Sequence, residues 1–421
     1  MKAEIITIGD ELLIGQVINT NQAYLAEQFN LLGIFVEKMT TVGDTPTDIL
    51  QAFHSSWNNF DLICVTGGLG PTHDDITKKS ICQFFNKELV EDKNVLKNIE
   101  ELLSKRNLKL SNVAIEQAKI PKDFTSLKNR LGTAPGLLYQ INHNGKNKYF
   151  LSLPGVPYEM KSIIENEFIP FFKNQKVDEF ILHRTIRTTG IIEAHLSVKI
   201  GDISKLLGTD DTAKLAFLPS PRGTKLRITI RSNNETFAKN KLLEIENEIY
   251  SKVNNYIYSN SDIEIEEVVG KILREKKLTI AIAESCTGGF ISNRITNISG
   301  SSDYFLQSYI TYSNQSKINL LNVSKSNLEQ FGSVSKEVAI QMAIGAKNNS
   351  DADIAISITG IAGPTGGTIE KPIGSSWIAL SDSENVISKF NNFGTERLLF
   401  KERASQYVLE LLRRNLLGLS I

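Results

Sequence analysis

Lys277-Leu-Thr-Ile-Ala-Ile-Ala-Glu-Ser285-Cys286-Thr287-Gly288-Gly289-Phe290 is the stretch around which the predicted fold is organised. Its apolar run, residues 278–283, predicts a buried β-strand, and the polar cluster after it predicts a sharp turn. Ser285 and Thr287 are residue types that favour helix N-caps, and the two glycines let the backbone turn closely. A strand that leads into a helix in this way presents amide N–H groups that suit an anion, usually a phosphate. The helix should bury one apolar face, formed by Ile291, Ile295 and Ile298.

The turn also presents the hydroxyl of Ser285 beside a thiol at the next position. A simple capping role for Ser285 is the alternative that this stretch alone leaves open, because capping serines are common. A second stretch, Tyr312-Ser313-Asn314-Gln315-Ser316-Lys317, predicts a helix over residues 314–321 with Ser313 as its cap. The dipole of a first helical turn lowers the pKa of a lysine there, and partial burial lowers it further. A neutral Lys317 can then take the proton of a serine nucleophile.

A third stretch is rich in glycine: Ile358-Thr359-Gly360-Ile361-Ala362-Gly363-Pro364-Thr365-Gly366-Gly367-Thr368. It follows another predicted buried strand, residues 355–358, and its four glycines allow the backbone to approach a ligand. The segment Glu370-Lys371-Pro372-Ile373-Gly374 then leads into a predicted strand over residues 376–380.

Six motifs of the C-terminal part follow one another in a recognisable order: A-E-S-C-T-G-G, G-S-S-x-Y-F, Y-S-N-Q-x-K, G-x-V-S, T-G-I-A-G-P and E-K-P-I-G. In this order, over roughly residues 265–418, the chain resembles the C-terminal domain of the CinA family. The resemblance implies an α/β amidase domain that deamidates nicotinamide mononucleotide (NMN), and we expect no cofactor for this activity.

The resemblance also implies roles for residues at matching positions. Ser285 is expected to be the nucleophile, with Lys317 and Tyr312 as its proton-handling partners. Substrate contacts are expected from residues of the three motif turns and from two arginines near the C-terminus: Glu284, Thr287, Gly288, Gly289, Ser302, Thr359, Gly360, Gly363, Arg397 and Arg403.

The chain departs from the family pattern near its C-terminus. The family commonly shows F-x-G-D-R followed by two arginines, whereas this chain has Phe393-Gly394-Thr395-Glu396-Arg397 and then Lys401 and Arg403. Cys286 is the alternative nucleophile, because a thiol near a helix N-terminus has a lowered pKa. Ser285 is preferred, since a Tyr/Lys pair suits a hydroxyl, which needs a base far more than a thiol does.

Length and composition limit the function classes. A chain of 421 residues predicts two to three domains. Lys plus Arg and Asp plus Glu number 47 each, and a net charge of zero argues against a general nucleic-acid or membrane-surface protein. Three cysteines without a C-x-x-C pair fit a reducing compartment. A strand predicted directly after Met1-Lys2 leaves no room for a signal peptide, and no apolar run approaches the ~18 residues of a membrane span. We therefore expect a cytoplasmic protein without a membrane partner.

The N-terminal part alternates predicted strands and helices. Strands are predicted over residues 3–9, 34–42 and 60–65, with helices over residues 21–32 and 47–57 between them. Strands separated by helices of this length pair in parallel, which predicts a doubly wound sheet. Ligands of such sheets bind beyond the carboxyl ends of the strands.

Two segments follow these strand ends, Gly9-Asp10-Glu11 and Thr66-Gly67-Gly68-Leu69-Gly70-Pro71-Thr72-His73-Asp74-Asp75-Ile76-Thr77. Backbone contact with phosphate is predicted at Gly67, Gly68, Gly70 and Thr72. The carboxylates of Asp10, Glu11 and Asp75 can hold a divalent metal ion. Favourable charge at a helix N-terminus is the alternative interpretation of Asp74 and Asp75.

The N-terminal motifs carry a second resemblance: G-D-E-L-L-x-G-Q, T-N, T-V-G-D, T-G-G-L-G-P-T-x-D-D-x-T, G-T-A-P-G and L-P-G-V-P-x-E-M, through Met160. They resemble the N-terminal domain of the CinA family, which is related to the molybdopterin-binding MoaB and MogA proteins. The resemblance implies a MoaB/MogA-like domain over residues 1–172 and a metal-dependent ADP-ribose pyrophosphatase activity. Within it, Asn144-Gly145 predicts a hairpin between strands over residues 136–141 and 149–153.

Residues 173–260 predict a small α+β domain, and residues 261–421 the amidase domain. The order is strand, helix, two strands and a long helix, over residues 184–188, 193–207, 214–218, 225–231 and 235–253. Five arginines raise the possibility of nucleic-acid binding: Arg184, Arg187, Arg222, Arg227 and Arg231. Because no G-x-x-G clamp or stacking-aromatic motif accompanies them, a structural connector or dimer element is preferred.

Together these features predict a bifunctional enzyme of pyridine-nucleotide turnover, with NMN and ADP-ribose as its small-molecule partners. A divalent metal ion is expected for the N-terminal activity, no nucleic-acid partner is expected, and the chain should form a homodimer. The alternative is a nucleotide-binding regulatory protein linked to competence, whose N-terminal site binds without turnover.

Overall fold

The computed structural model describes residues 1–70, 76–143, 146–173, 180–208 and 212–420. The chain folds into two compact units, one formed by residues 1–183 with 230–241 and the other by residues 184–229 with 242–421. Within the described ranges, none of the helices combines the length and apolar character needed to cross a membrane.

The N-terminal domain is built on a six-stranded sheet in the order β2-β1-β3-β8-β7-β6. Its strands, with the separate β4–β5 pair, are β1 Lys2–Ile8, β2 Phe35–Val42, β3 Leu62–Thr66, β4 Leu89–Glu91, β5 Lys119–Pro121, β6 Thr125–Leu127, β7 Gly136–His143 and β8 Lys146–Leu153. Its helices are α1 Asp10–Leu13, α2 Thr20–Leu31, α3 Pro46–Trp57, α4 Thr77–Phe85, α5 Lys93–Lys105, α6 Asn112–Gln117, α7 Pro157–Ile163 and α8 Ile169–Lys173.

The pairing of this sheet confirms the predicted α/β arrangement. Strands β2, β1, β3 and β8 are parallel, and β7 and β8 form an antiparallel hairpin. All five residues of β3 are buried, as expected for a strand covered on both faces. The Asn144-Gly145 turn of the hairpin lies outside the described residues.

The middle domain has a four-stranded sheet in the order β10-β11-β9-β12. Its elements are β9 Phe180–Thr188, α9 Glu193–Ile200, α10 Ser204–Leu207, β10 Ala213–Ser220, β11 Gly223–Ser232, α11 Glu235–Val253 and β12 Ile257–Ser259. The single helix predicted over residues 193–207 is wrong. The helix stops at Ile200 because Gly201 adopts a left-handed φ of 69°.

The C-terminal domain has a five-stranded sheet in the order β14-β13-β15-β16-β17. Its strands are β13 Ile280–Glu284, β14 Phe305–Ile310, β15 Ile354–Gly360, β16 Ser375–Ser381 and β17 Val386–Asn392. Its helices are α12 Ile265–Lys276, α13 Phe290–Thr296, α14 Asn314–Leu321, α15 Lys325–Phe331, α16 Lys336–Ser350 and α17 Arg397–Leu417. Because β13 runs parallel to β14 and β15, Glu284 pairs with both Ile310 and Ile358, and the three strands reach the same edge of the sheet.

Helices cover both faces of this sheet, and alternate side chains of strand β13 pack into the cores on the two faces. Its isoleucines, Ile280 and Ile282, pack into the core formed with α12, α13 and α17. Its alanines, Ala281 and Ala283, face the other core, which contains residues of α14, α15 and α16. Alternate side chains of a strand point to opposite faces, so this one strand supplies both layers. The turn after β13 is therefore held between two packed cores.

Candidate active site

Ser285 lies in a tight turn directly after β13. Its N–H donates to the Ile358 carbonyl (3.1 Å), and its own carbonyl accepts from the Gly288 N–H (3.2 Å). Gly288 and Gly289 both have left-handed φ values, 62° and 91°. Residues with a Cβ rarely adopt this conformation, so the two glycines allow the turn that presents the serine.

The helix after the turn, α13, is capped by a carboxylate from the strand before it. Glu284 is fully buried. Its Oε2 accepts from the N–H groups of Gly289 (3.0 Å) and Ile291 (3.1 Å), and its Oε1 from the N–H (2.8 Å) and hydroxyl (2.6 Å) of Ser292. The alternative in which Ser285 merely caps this helix is wrong, because Gly289 occupies the N-cap. The amide groups predicted to bind an anion therefore hold Glu284.

Lys317 meets Ser285 from the neighbouring helix. Helix α14 begins at Asn314, and the Ser313 hydroxyl accepts from the Ser316 N–H (3.1 Å), which confirms the predicted cap. Lys317 is 1% exposed, and its Nζ lies 3.0 Å from Ser285 Oγ. The same nitrogen donates to the carbonyls of Thr311 (2.7 Å) and Tyr312 (3.4 Å). Burial lowers the pKa of Lys317 from 10.5 to about 8, as predicted for a lysine that acts as a base.

Cys286 differs from its neighbour in chemistry and in surroundings. The side chain is buried and belongs to the same apolar core as Ile291 and Phe400. Burial raises the pKa of its thiol to about 12. The lowered thiol pKa expected from the helix N-terminus is therefore wrong, because desolvation dominates and Glu284 places negative charge at that terminus. At neutral pH this thiol is protonated and a poor nucleophile.

A pocket of about 140 Å³ opens at Ser285 and brings together residues of all three predicted segments. It is lined by Ser285, Cys286, Tyr312, Lys317, Ser333, Val334, Thr359, Gly360, Ala362 and Arg397. The Thr359 hydroxyl donates to the Ser333 carbonyl (2.7 Å), which ties β15 to the segment before α16. Ser333, Val334 and Ala362 were not among the predicted site residues, although Val334 lies inside the quoted G-x-V-S motif and Ala362 inside T-G-I-A-G-P.

Tyr312 and Arg397 meet at this pocket. The Arg397 guanidinium donates to the Tyr312 hydroxyl (3.2 Å) and to the Gly363 carbonyl (2.9 Å). Tyr312 is 64% exposed. Its hydroxyl thus bonds to Arg397 and not to Ser285 or Lys317, so its contact with the base is through the backbone carbonyl.

Some predicted contact residues do not reach the pocket. Ser302 lies before β14, and the parallel register places the start of that strand, Phe305, beside Ile280 at the far end of β13. Arg403 donates to the Phe393 carbonyl (3.1 Å). Five further predicted contact residues are also not among those that line the pocket: Glu284, Thr287, Gly288, Gly289 and Gly363.

Lys401, at the position where the family commonly has an arginine, lies beside the nucleophile turn. Its amine is 3.6 Å from the point where a Cβ on Gly288 would stand. Lys401 follows Arg397 by four residues on α17, so its side chain lies close to the backbone of the loop that carries Ser285.

The N-terminal candidate site lies beyond the carboxyl ends of β1, β3 and β8. Gly67 and Gly68 turn the chain after β3 with φ values of 114° and 64°. Asn21 is buried there, and its amide nitrogen donates to the Gly155 carbonyl (2.7 Å) and the Thr66 hydroxyl (3.4 Å). Its amide oxygen is buried without a hydrogen-bond partner. An unpaired acceptor of this kind favours a ligand that carries a donor.

The predicted metal ligands are only partly described. Asp10 and Asp44 exchange backbone-to-carboxylate hydrogen bonds of 3.0 and 3.1 Å. The carboxylate of Glu11 lies over Gly9, where a Cβ would be 2.5 Å from its Oε1. Among the described residues no three acidic, histidine or cysteine side chains come close enough together to hold a metal ion. Thr72, Asp74 and Asp75 lie outside the described residues.

Comparison with known proteins accounts for almost the whole chain. Three family models match in order: "Probable molybdopterin binding domain" over residues 4–174, "Damage-inducible protein CinA KH domain" over 183–259 and "CinA C-terminal domain" over 262–416. A CinA-like protein of Chloroherpeton thalassium is 40% identical over 417 residues, which cover 98% of this chain and 99% of that protein. The chain belongs to the CinA family.

Other CinA relatives match over similar lengths. A CinA-like protein of Kosmotoga olearia is 40% identical over 420 residues, which cover 100% of both chains. Among solved structures, the competence/damage inducible protein CihA of Agrobacterium tumefaciens is 38% identical, with a TM-score of 0.34 over 35% of this chain and 93% of that one. This CinA chain thus has three parts: a domain that matches the molybdopterin-binding model, a KH-like domain and a CinA C-terminal domain.

Proposed function

We propose that the C-terminal domain hydrolyses the carboxamide of NMN to nicotinic acid mononucleotide and ammonia. The observation that carries the proposal is the buried amine of Lys317, with its pKa lowered to about 8, at 3.0 Å from the Ser285 hydroxyl. A neutral amine has two N–H donors and one lone pair. The carbonyls of Thr311 and Tyr312 accept the two donors, which leaves the lone pair for the Ser285 proton.

In the proposed reaction, Lys317 takes the Ser285 proton as Oγ attacks the carboxamide carbon, and a tetrahedral oxyanion forms. The N–H groups of Gly288 and Gly289 already donate to Ser285 and Glu284. In our proposal, other backbone N–H groups of the glycine-rich turns around the pocket stabilise the oxyanion. Lys317 returns its proton to the leaving nitrogen, ammonia departs, and water hydrolyses the acyl-enzyme with Lys317 again as the base.

The size of the pocket supports an amide-bearing ring as the buried part of the substrate. At about 140 Å³ it is smaller than the ~300–1,000 Å³ of pockets that enclose drug-sized ligands. In our proposal the pyridine ring with its carboxamide enters, and the ribose phosphate stays at the mouth. Arg397 is the lining cation there that suits a phosphate.

The test is ammonia release from NMN by the full chain, compared with release from free nicotinamide. We expect turnover of NMN and much slower turnover of nicotinamide, because only the nucleotide carries the phosphate for Arg397. Absence of ammonia release from NMN at pH 8 to 9, with the protein folded, would contradict the proposal.

For the N-terminal domain we propose nucleotide binding and metal-dependent cleavage of ADP-ribose to AMP and ribose 5-phosphate. The unpaired amide oxygen of Asn21 at the strand ends favours a ligand there. When bound, a divalent metal would supply charge stabilisation on the diphosphate. The proposed ligands of this metal are Asp10, Glu11 and Asp75, of which Asp75 lies outside the described residues.

The corresponding experiment measures AMP release from ADP-ribose with and without a chelator, in the wild type and in Asp10→Asn. We expect loss of AMP release in both cases, with NMN deamidation unchanged. Binding of ADP-ribose without turnover would instead favour the regulatory alternative for this domain.

A further inference from the structure

A buried arginine anchors the helix that follows the nucleophile turn. Arg294 of α13 is 2% exposed. Its guanidinium donates to the Glu266 carboxylate (2.6 and 3.2 Å), to the Ser405 hydroxyl (2.8 Å) and to the Gln406 amide oxygen (2.9 Å). These partners belong to α12 and α17, so polar contacts fix α13 against both helices.

The KH-like middle domain joins the same network through α17. The amide nitrogen of Gln406 donates to the Thr189 hydroxyl (3.2 Å) at the end of β9. Arg222, in the turn between β10 and β11, forms a two-point ion pair with Glu402 (2.6 and 3.3 Å). Two-point pairing of a guanidinium with a carboxylate fixes orientation as well as distance.

Helix α17 carries these contacts close to the reaction site. Arg397, its first residue, lines the pocket, and Lys401 lies beside Gly288. Glu402 follows Lys401 directly, so the ion pair with Arg222 lies within two turns of the pocket residue. The Arg222 and Glu402 side chains are 30% and 28% exposed, so this pair contributes little to stability, and its two-point geometry is what fixes the orientation of the two elements.

We propose that the middle domain holds the nucleophile turn in its reactive geometry through α17 and α13, with Arg222 and Gln406 as positioning residues. The inference rests on the proposed role of Ser285. The same role would explain a second arginine of the middle domain. Arg187 forms ion pairs with Asp262 (2.6 Å) and Glu264 (2.9 Å), which lie just before α12.

The test measures the rate at which a fluorophosphonate labels Ser285 in the full-length chain, as a function of pH. The variants are Arg222→Ala, Glu402→Ala and the double variant. The matched control is Arg227→Ala, an exposed arginine of β11. We expect labelling to slow about tenfold in each single variant, since small displacements of reacting groups have effects of this size. The double variant should be no slower than either single one, and the control should match the wild type.

The pH profile separates positioning from stability alone. A loosened turn admits water to Lys317, so the apparent pKa of labelling should rise from about 8 toward the ordinary value for lysine. Wild-type labelling rates and profiles in all folded variants would overturn the inference. If the Arg222 variant fails to fold, the labelling rate and pH profile of Gln406→Leu are compared with those of the wild type instead. A wild type that labels at Ser285 but releases no ammonia from NMN would overturn the proposed substrate, while the labelling comparison still decides the inference.

Discussion

Strands β13 and β3 are each followed by glycines and, further along the chain, by a helix, but the two helices differ at their N-termini. At α13 the first amide groups bond to Glu284, a carboxylate of the protein itself. At α4 the N-cap is Ile76, and no side-chain cap hydrogen bond is present among the described residues. The pattern predicts where negative charge is favourable, but not whether the protein or a ligand supplies it. Because Glu284 already occupies the N-terminus of α13, the turn after β13 presents the uncharged hydroxyl of Ser285.

The strongest test of this difference replaces the nucleophile. Ser285→Ala should lower kcat for NMN by about 10³-fold or more, as in other serine hydrolases. Cys286→Ala should keep activity within about threefold, because this thiol is buried and protonated and serves as a small apolar side chain. Ammonia release measures both. A dead Cys286 variant beside an active Ser285 variant would make this turn a cysteine site.

The second test is the pH dependence of the base. Lys317 must be neutral to accept a proton, so kcat/KM for NMN should rise about tenfold per pH unit below its pKa of about 8 and level off above it. Lys317→Met should abolish turnover. A profile that is flat between pH 6 and 9 would contradict this assignment.

Stability gives an independent measure of the same group. The folded-state pKa of Lys317, about 8, lies below the ordinary 10.5, so the unfolded chain binds more protons between these values. Stability should therefore rise with pH across that window in the wild type. The stability of Lys317→Met should not rise with pH in this way. At pH 7 the variant should melt no earlier than the wild type, because the substitution removes a buried amine that is charged at that pH.

The third test weakens the cap that Glu284 forms at the N-terminus of α13. Glu284→Gln turns an amide NH2 toward backbone N–H donors and should cost about 1–3 kcal/mol of unfolding free energy. Turnover should fall by about tenfold, because the nucleophile turn is displaced. Denaturant unfolding and NMN kinetics measure the two effects. The control is Glu396→Gln, which alters the exposed carboxylate cap of α17 and should destabilise less. Equal losses in both variants would mean that burial of Glu284 is unimportant.

The smallest effect is expected from the tyrosine hydroxyl. Because it bonds to Arg397 and not to the base, Tyr312→Phe should lower kcat/KM about fivefold or less, the value of one ordinary hydrogen bond. A loss of about 10³-fold would return Tyr312 to the proton-handling role that the family resemblance implies.

The sequence predicted local features of the C-terminal site well. The helix over residues 314–321 and its Ser313 cap depend on a few neighbouring residues, and both were found. The lowered pKa of Lys317 was also found, but its cause is burial in the assembled domain. The parallel pairing of β13 with β14 brings Lys317 to Ser285, and it was not predicted, because no strand was expected over residues 305–310.

Features that depend on side-chain direction or register were not predictable in this way. The cap of α13 comes from Glu284, which no local capping pattern indicates, because that residue precedes the glycines. Ser302 lies within a family motif, but the register of β14 against β13 carries it to the far end of the sheet. Cys286 is buried in a core that also contains Phe400, more than a hundred residues away in the chain. A position in a family motif thus indicates a candidate site residue, but whether its side chain lines the pocket depends on the register of the assembled sheet.

Strand β14 forms one edge of the C-terminal sheet, and its six residues, Phe305–Ile310, carry no charge. Proteins commonly place charged side chains on such edges to prevent another strand from pairing there. Thr311, whose carbonyl holds the Lys317 amine, follows this strand directly. An extended peptide that paired with β14 would therefore lie next to the residue whose carbonyl holds the Lys317 amine, outside the pocket, which makes this edge a starting point for ligands that do not enter the pocket.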